Sequence, residues 1–234
     1  MSSSRAAASA GCFGWSANLR THGAEFVSSD PTTILLTRHG HVEGIEPPRF
    51  RGRADLRLTE TGISQAKAVA RRIDQAWRPH AIYASPLGRT LRTAEIIAEV
   101  RDVPVQPLDA LIDIDYGAWQ GLPVEEVKER WPEEAERWFH RPNLAQPPGG
   151  ESLQEVLVRV TQALRLLANR HAGKTVVLVG HDSVNRVLLS HALDLPLTRY
   201  WQIRQAPCAI SRIEASIDGF SVHSINETGH LDLD

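Results

Sequence analysis

Two histidines directly follow apolar segments that have the composition of β-strands. His39 comes after TTILLT and Arg38, and His181 comes after TVVLVG. In open α/β sheets, ligands bind beyond the carboxyl ends of the strands. Each histidine adjoins a glycine, Gly40 or Gly180, which lets the backbone approach a ligand closely. One such histidine is more often a packed or solvent-facing residue, so the hypothesis of a catalytic site rests on the pair together with nearby arginines.

Several short motifs occur in order between residues 34 and 195. They are LTRHG at Leu36–Gly40, GRADLRLTETG at Gly52–Gly62, YASPLGRTLRT at Tyr83–Thr93, YGAWQG at Tyr116–Gly121, GGES at Gly149–Ser152 and VGHD at Val179–Asp182. This set resembles the histidine phosphatase superfamily, in the branch that includes cofactor-dependent phosphoglycerate mutases and many small phosphatases. An ordered series of motifs is far more specific than a match to three residues.

The resemblance implies phosphoryl transfer through His39, because an unprotonated imidazole nitrogen can attack phosphorus and form a phosphohistidine. The phosphate carries about two negative charges. Arg38 and Arg89 supply planar, permanently charged donors for its oxygens, and His181 is implied as a further donor at the catalytic centre. Arginines on helices usually face solvent, but the position of Arg89 in SPLGRT favours phosphate binding.

Departure of an alkoxide is slow without a general acid near the scissile oxygen. In relatives this acid is typically a glutamate two residues after a leucine. The register that begins at Leu111 puts Asp113 at that position. Aspartate is one methylene shorter, so Asp113 is a departure from the family pattern, and Asp115 is its competitor for the role.

Two further features of the same region admit ordinary explanations. His41-Val42 stand where relatives commonly have glutamate and threonine, and His41 is either a pocket-edge residue or a loop histidine. The RFRGR segment, with Arg49, Arg51 and Arg53, either binds an anionic substrate or is a solvated charge run. His39 and His41 also form a His-x-His pair of the kind that binds metals. We expect no metal, because two fixed arginine charges beside a cation are unfavourable.

Strand-like and helical segments alternate from Thr32 onward. Helices are predicted over about 60–77, 87–100, 124–140 with an interruption at Pro132, 152–171 and 183–192, and strands over 32–37, 81–85, 103–105, 175–180, 209–216 and 219–225. This order predicts an α/β three-layer sandwich with a mostly parallel central sheet, an antiparallel edge and helices on both faces. TVVLVG is the most apolar strand, so we expect it at the centre.

Composition limits the classes of function. Apolar residues make up 42% of the chain, charged residues 23%, and the formal charge is −2, so we expect neither a nucleic-acid partner nor binding to an anionic membrane. No segment approaches the ~20 apolar residues of a membrane helix. Cys12 and Cys208 have no metal or redox spacing, which favours a reducing, cytoplasmic compartment.

The first residues, MSSSRAAASAGCFG, are rich in Ser, Ala and Gly and lack the apolar core of a secretory signal. We predict a disordered N-terminal extension over residues 1–31 and a single α/β domain over residues 32–234. The sequence is also compatible with a homodimer.

Three functions are compatible with these motifs. A metal-independent, cofactor-free phosphatase acting on a small phosphomonoester is favoured, because residues 121–150 are short and acidic whereas mutase-type relatives usually carry a longer, basic segment there. A phosphoglycerate-type mutase is the second. A non-catalytic phospholigand-binding protein is the third, since fold does not determine function, but the presence of both histidines and both arginines argues against it.

Overall fold

A computed structural model of the protein describes residues 30–45 and 47–231. Within these residues, six strands form one sheet in the order β3-β2-β4-β1-β5-β6. The strands are β1 (Thr32–Arg38), β2 (Ala81–Ala84), β3 (Val105–Pro107), β4 (Thr175–Gly180), β5 (Ile210–Ser216) and β6 (Gly219–Glu227). β3, β2, β4 and β1 run parallel, and the β5–β6 hairpin adds the antiparallel edge. The predicted mixed sheet is confirmed, with TVVLVG as the central β4.

The same described residues form six α-helices: α1 (Glu60–Ala76), α2 (Gly88–Ala98), α3 (Val124–Arg130), α4 (Pro132–His140), α5 (Leu153–Arg170) and α6 (Asp182–Ala192). Thr59 caps α1 by accepting the Gly62 N–H. Ser152 caps α5 and forms a capping box with Glu155 at the start of that helix. Trp131 separates α3 from α4, and Pro132 is the first residue of α4. Its missing N–H costs nothing there, because the first N–H groups of a helix have no partner within the helix. The weak strand predicted over 103–105 lies two residues later.

Alternate residues of the central strands pack on opposite faces of the sheet. Leu36 and Leu178 contribute to a core that includes the apolar faces of α5 and α6. Leu35 and Val177 contribute to a second core with α1 and α2. This alternation follows from the period of two in a strand, and it produces the predicted three layers.

The predicted domain boundaries extend beyond the described part of the chain. Residues 1–29, which hold most of the expected extension and Cys12, and residues 232–234 lie outside it. None of the described helices is long and apolar enough to cross a lipid bilayer.

Candidate active site

The carboxyl ends of three parallel strands bring the predicted residues to one edge of the sheet. Arg38 on β1 is in register with Gly180 on β4, so His39 and His181 follow neighbouring strands at the same level. Their ring centroids are 5.3 Å apart. Arg89 lies in the first turn of α2, which begins shortly after β2 ends. The parallel arrangement therefore gathers residues that are far apart in sequence.

The backbone around His39 is tightly packed. Gly40 lies so close to α1 that a Cβ on it would collide with the carbonyl of Gly62. The Gly40 N–H donates to Thr93 Oγ1 at 3.1 Å on α2. The glycine of the LTRHG motif is thus required by a close backbone approach, which holds His39 in place.

The His39 imidazole is buried, at 1% exposure, and has a defined hydrogen bond. Its Nδ1 lies 2.7 Å from the Gly40 carbonyl oxygen. A carbonyl oxygen only accepts, so Nδ1 carries the proton and Nε2 keeps its lone pair. Burial, followed by the charges of Arg38 and Arg89, holds the pKa of His39 well below its usual range. His39 is therefore neutral near pH 7, with Nε2 available as a nucleophile.

Arg38 is the last residue of β1, at the same edge of the sheet, and is 6% exposed. Its Nη1 donates to the Gln205 carbonyl at 2.7 Å and lies 3.8 Å from Asp182 Oδ1. Desolvation lowers the pKa of Arg38, and Asp182 opposes that effect. Both partners contact Nη1, so they orient the guanidinium through that nitrogen.

Asp113 connects Arg89 with His181. Arg89 Nη2 donates to Asp113 Oδ2 at 3.1 Å, and His181 Nδ1 lies 3.6 Å from the same oxygen. Arg89 also donates to the carbonyl oxygens of Gly52 and Ala54 at 2.6 and 2.8 Å. Burial raises the pKa of Asp113, although the Arg89 charge acts in the opposite direction. A raised pKa is what a proton donor near neutral pH requires.

Asp115 has a different environment. Its Oδ1 accepts the Gly117 N–H at 2.8 Å, and its Oδ2 accepts from Arg53 at 3.2 Å. Arg53 also pairs with Glu151 at 3.1 Å. These contacts tie the YGAWQG segment to the 44–58 loop, so Asp115 and Arg53 belong to a loop-anchoring network.

Three buried nitrogens at this edge have no hydrogen-bond partner in the described part of the chain. They are Arg38 Nε, Arg89 Nε and His181 Nδ1. Buried donors without partners are rare and costly in native proteins. Arginine N–H groups of this kind match the acceptor-only oxygens of a phosphoryl group, so the arrangement is suited to an oxyanion.

A cavity of about 770 Å³ opens over His39, a volume typical of small-molecule sites. Basic side chains outnumber acidic ones in its lining, with Arg38, Arg49, Arg51, Lys128, Arg186 and Arg204 against Asp113, Glu125 and Asp182. Of the RFRGR arginines, Arg49 and Arg51 reach this cavity. His41 is not among the lining residues, and its Nδ1 lies 2.9 Å from Thr59 Oγ1. The cavity favours an anionic ligand.

Comparison with known proteins identifies the family. A family model described as the histidine phosphatase superfamily (branch 1) matches residues 34–228. The chain belongs to this superfamily. The resemblance predicted from the motifs is thereby confirmed.

Curated and solved relatives of this histidine phosphatase agree with that membership. Phosphoserine phosphatase 1 of Hydrogenobacter thermophilus is 36% identical over 200 residues, covering 85% of this chain and 93% of the relative. A metal-independent phosphoserine phosphatase of Arabidopsis thaliana is 33% identical, with 88% and 80% covered. A probable phosphoglycerate mutase GpmB of Yersinia pestis is 32% identical, with 86% and 95% covered. The structure of Bacillus stearothermophilus YhfR matches at a TM-score of 0.81 and 31% identity, covering 86% of this chain and all of that one.

Sequence reasoning missed several residues that support the site of this histidine phosphatase. Ser85 Oγ lies 2.8 Å from His181 Nε2, and Gln205 presents its carbonyl to Arg38. Asp182 pairs with both Arg38 and Arg186. Ser85 lies in the YASPLGRTLRT motif and Asp182 in the VGHD motif, so their positions in these motifs could have indicated a role at the site. Gln205 acts through its backbone, and no side-chain pattern could have indicated it.

Proposed function

We propose that this histidine phosphatase hydrolyses small phosphomonoesters through a phosphohistidine on His39. The observation that carries the proposal is the His39 imidazole: Gly40 holds its proton on Nδ1, which leaves the lone pair on Nε2, and the charges of Arg38 and Arg89 act on the ring. A neutral imidazole in such surroundings is an activated nucleophile for an anionic phosphoryl group.

In the first step, the Nε2 lone pair of His39 attacks phosphorus and the bond to the leaving oxygen breaks. Asp113 gives its proton to that oxygen, and the alcohol departs. In the second step, water attacks the phosphohistidine, Asp113 takes the proton from the water, and inorganic phosphate leaves with His39 restored. Arg38, Arg89 and His181 donate to the phosphoryl oxygens in both steps. The cationic groups that a metal would otherwise supply are present as arginines, so we propose no metal requirement and no cofactor.

The substrate that we propose first is phosphoserine. Two relatives bear the name phosphoserine phosphatase, and the basic lining of the cavity suits a phosphate ester with a second anionic group. A cytoplasmic location, suggested by the spacing of the cysteines, and a homodimer stay predictions.

The test is a mass-spectrometric search for the adduct during turnover of phosphoserine. We expect an acid-labile, base-stable phosphoryl group on His39, since phosphohistidine is a phosphoramidate. His39→Gln should lose the adduct and the activity, whereas the matched control His41→Gln should keep both. Phosphate trapped on a serine, or full activity in His39→Gln, would contradict the mechanism.

A mutase is the second candidate function, because the match between this chain and the GpmB relative covers 95% of that relative. The two activities differ in the acceptor of the second step. Release of inorganic phosphate that is stoichiometric with substrate consumption supports hydrolysis. Transfer of the labelled phosphoryl group to added 3-phosphoglycerate, with little phosphate released, would support the mutase.

A further inference from the structure

Ser85 directly follows β2 and is completely buried. Its backbone N–H donates to Val179 on β4 at 3.1 Å, and its carbonyl accepts the Thr90 hydroxyl at 2.9 Å. Both ends of the residue are therefore fixed by neighbouring elements. The fixed backbone holds the side chain against His181, with Ser85 Oγ 2.8 Å from the ring Nε2.

The contacts of this hydroxyl favour one direction of the hydrogen bond. The Leu87 N–H donates to Ser85 Oγ at 3.4 Å, so one lone pair of the oxygen is already used. A serine hydroxyl has a single proton to donate. In the part of the chain that the structure describes, His181 Nε2 is the acceptor within its reach. If Ser85 instead accepted from Nε2, its hydroxyl proton would have no acceptor among the described residues, so donation to Nε2 is the favoured direction and places the lone pair of the ring on that nitrogen.

The opposite side of the ring favours the same tautomer. His181 Nδ1 lies 3.6 Å from Asp113 Oδ2 and has no hydrogen-bond partner among the described residues. This oxygen is an acceptor, since Arg89 Nη2 donates to it at 3.1 Å, so an N–H directed toward it is attracted, whereas a lone pair there would be repelled. Burial and nearby arginines also hold the pKa of His181 well below its usual range. A neutral ring has one proton, so its placement decides what the ring can donate.

We propose that Ser85 is a positioning residue that keeps the proton of neutral His181 on Nδ1, the nitrogen that faces the transferring phosphoryl group. In the other tautomer, a lone pair would face phosphoryl oxygens and the donor would be lost. The kinetic part of this inference rests on the proposed function. The tautomer itself does not, because it is a property of the resting protein.

The direct test is NMR of the full chain with ¹⁵N-labelled histidine, with the His181 signals assigned by their loss in His181→Asn. We expect a protonated Nδ1 and an unprotonated Nε2 at neutral pH. A protonated Nε2 in the wild-type protein would overturn the proposal, whether or not any variant folds. Failure of the phosphohistidine test with the expected tautomer present would reject the proposed function alone.

Ser85→Ala supplies the kinetic test, with Ser190→Ala as the matched control. Ser190 is also fully buried, and its hydroxyl has no partner among the described residues. In Ser85→Ala we expect a mixture of tautomers and kcat reduced about 10- to 100-fold, less than the loss of an oxyanion donor itself, with little change in KM. Ser190→Ala should keep the wild-type tautomer and kcat. An unchanged tautomer and kcat in Ser85→Ala would contradict the positioning role.

Discussion

The carboxylate of Asp113 forms a buried ion pair with Arg89, with 3.1 Å between Oδ2 and Nη2. The side chain of Arg89 is inaccessible to solvent, and that of Asp113 is 9% exposed. Removing one member of such a pair leaves the other charge buried without compensation, which typically costs about 3–5 kcal/mol. Variants at either position therefore report on both folding and chemistry, and each requires a stability measurement.

We expect Asp113→Asn to slow an alkyl phosphate far more than a nitrophenyl phosphate. A general acid stabilises charge only as it develops on the leaving oxygen, so its loss matters most when that oxygen is strongly basic. Asparagine keeps the shape of the side chain and its contact with Arg89. Rates for both substrates in folded protein are the measurement.

Asp115→Asn is the matched control for Asp113. Because Asp115 accepts from Gly117 and Arg53, this variant should lower the free energy of unfolding and leave the ratio of the two rates unchanged. Equal losses on both substrates in Asp113→Asn would remove Asp113 from the role, and a substrate-dependent loss in Asp115→Asn would transfer the role to that residue.

Replacement of Arg89 by alanine should reduce kcat/KM roughly 10²–10³-fold, as expected for loss of a charged oxyanion donor. It should also destabilise the fold, because two backbone carbonyls and Asp113 lose their donor. Arg89→Lys should recover only part of either effect, since lysine cannot reproduce the planar guanidinium.

Arg92→Ala is the control on the same helix, because Arg92 is half exposed and pairs only with surface glutamates among the described residues. It should keep nearly full activity and stability. Near wild-type kcat/KM in folded Arg89→Ala would show that this arginine is not a phosphate ligand.

The buried histidines of the site, His39 and His181, should make the protein less stable in mild acid. The pKa values of His39 and His181 are lowered in the folded state, whereas an unfolded histidine titrates near 6.5. Below about pH 6.5 the unfolded chain binds protons that the folded chain does not, so the free energy of unfolding falls as pH falls. Each histidine contributes up to about 1.4 kcal/mol per pH unit.

Chemical denaturation between pH 7.5 and 5.5 measures this dependence. His39→Gln and His181→Gln should each reduce the slope, and the exposed His140 offers a matched substitution as the control. A slope in the two buried-site variants equal to that of the wild type would contradict the buried, neutral state of these rings.

Activity should survive dialysis against a chelator, because fixed arginine charges occupy the electrostatic role of a metal. The measurement is phosphate release before and after chelation, with each divalent ion then restored separately. Activity that disappears with the chelator and returns with one ion would instead favour a metal site at the His-x-His pair.

The sequence by itself determined the family, the layered fold and the place of the two histidines. Short apolar runs and helix-start residues are local features, and they predicted β1, β4 and the starts of α1 and α5. Parallel strands share one carboxyl edge, so His39 and His181 were expected to meet there. The ordered motifs added Arg38, Arg89 and Asp113 through resemblance.

The motif register favoured Asp113 over Asp115, and only the tertiary structure shows that the two side chains have different surroundings. The two residues are neighbours in an irregular segment, where no periodicity indicates which side chain points inward. The distinction comes from Arg89 and Arg53, which approach from 24 and 62 residues away. The bond between Ser85 and His181 likewise joins residues 96 positions apart. Such contacts arise when separate strands and loops pack together, and local sequence patterns do not indicate which distant residues will meet.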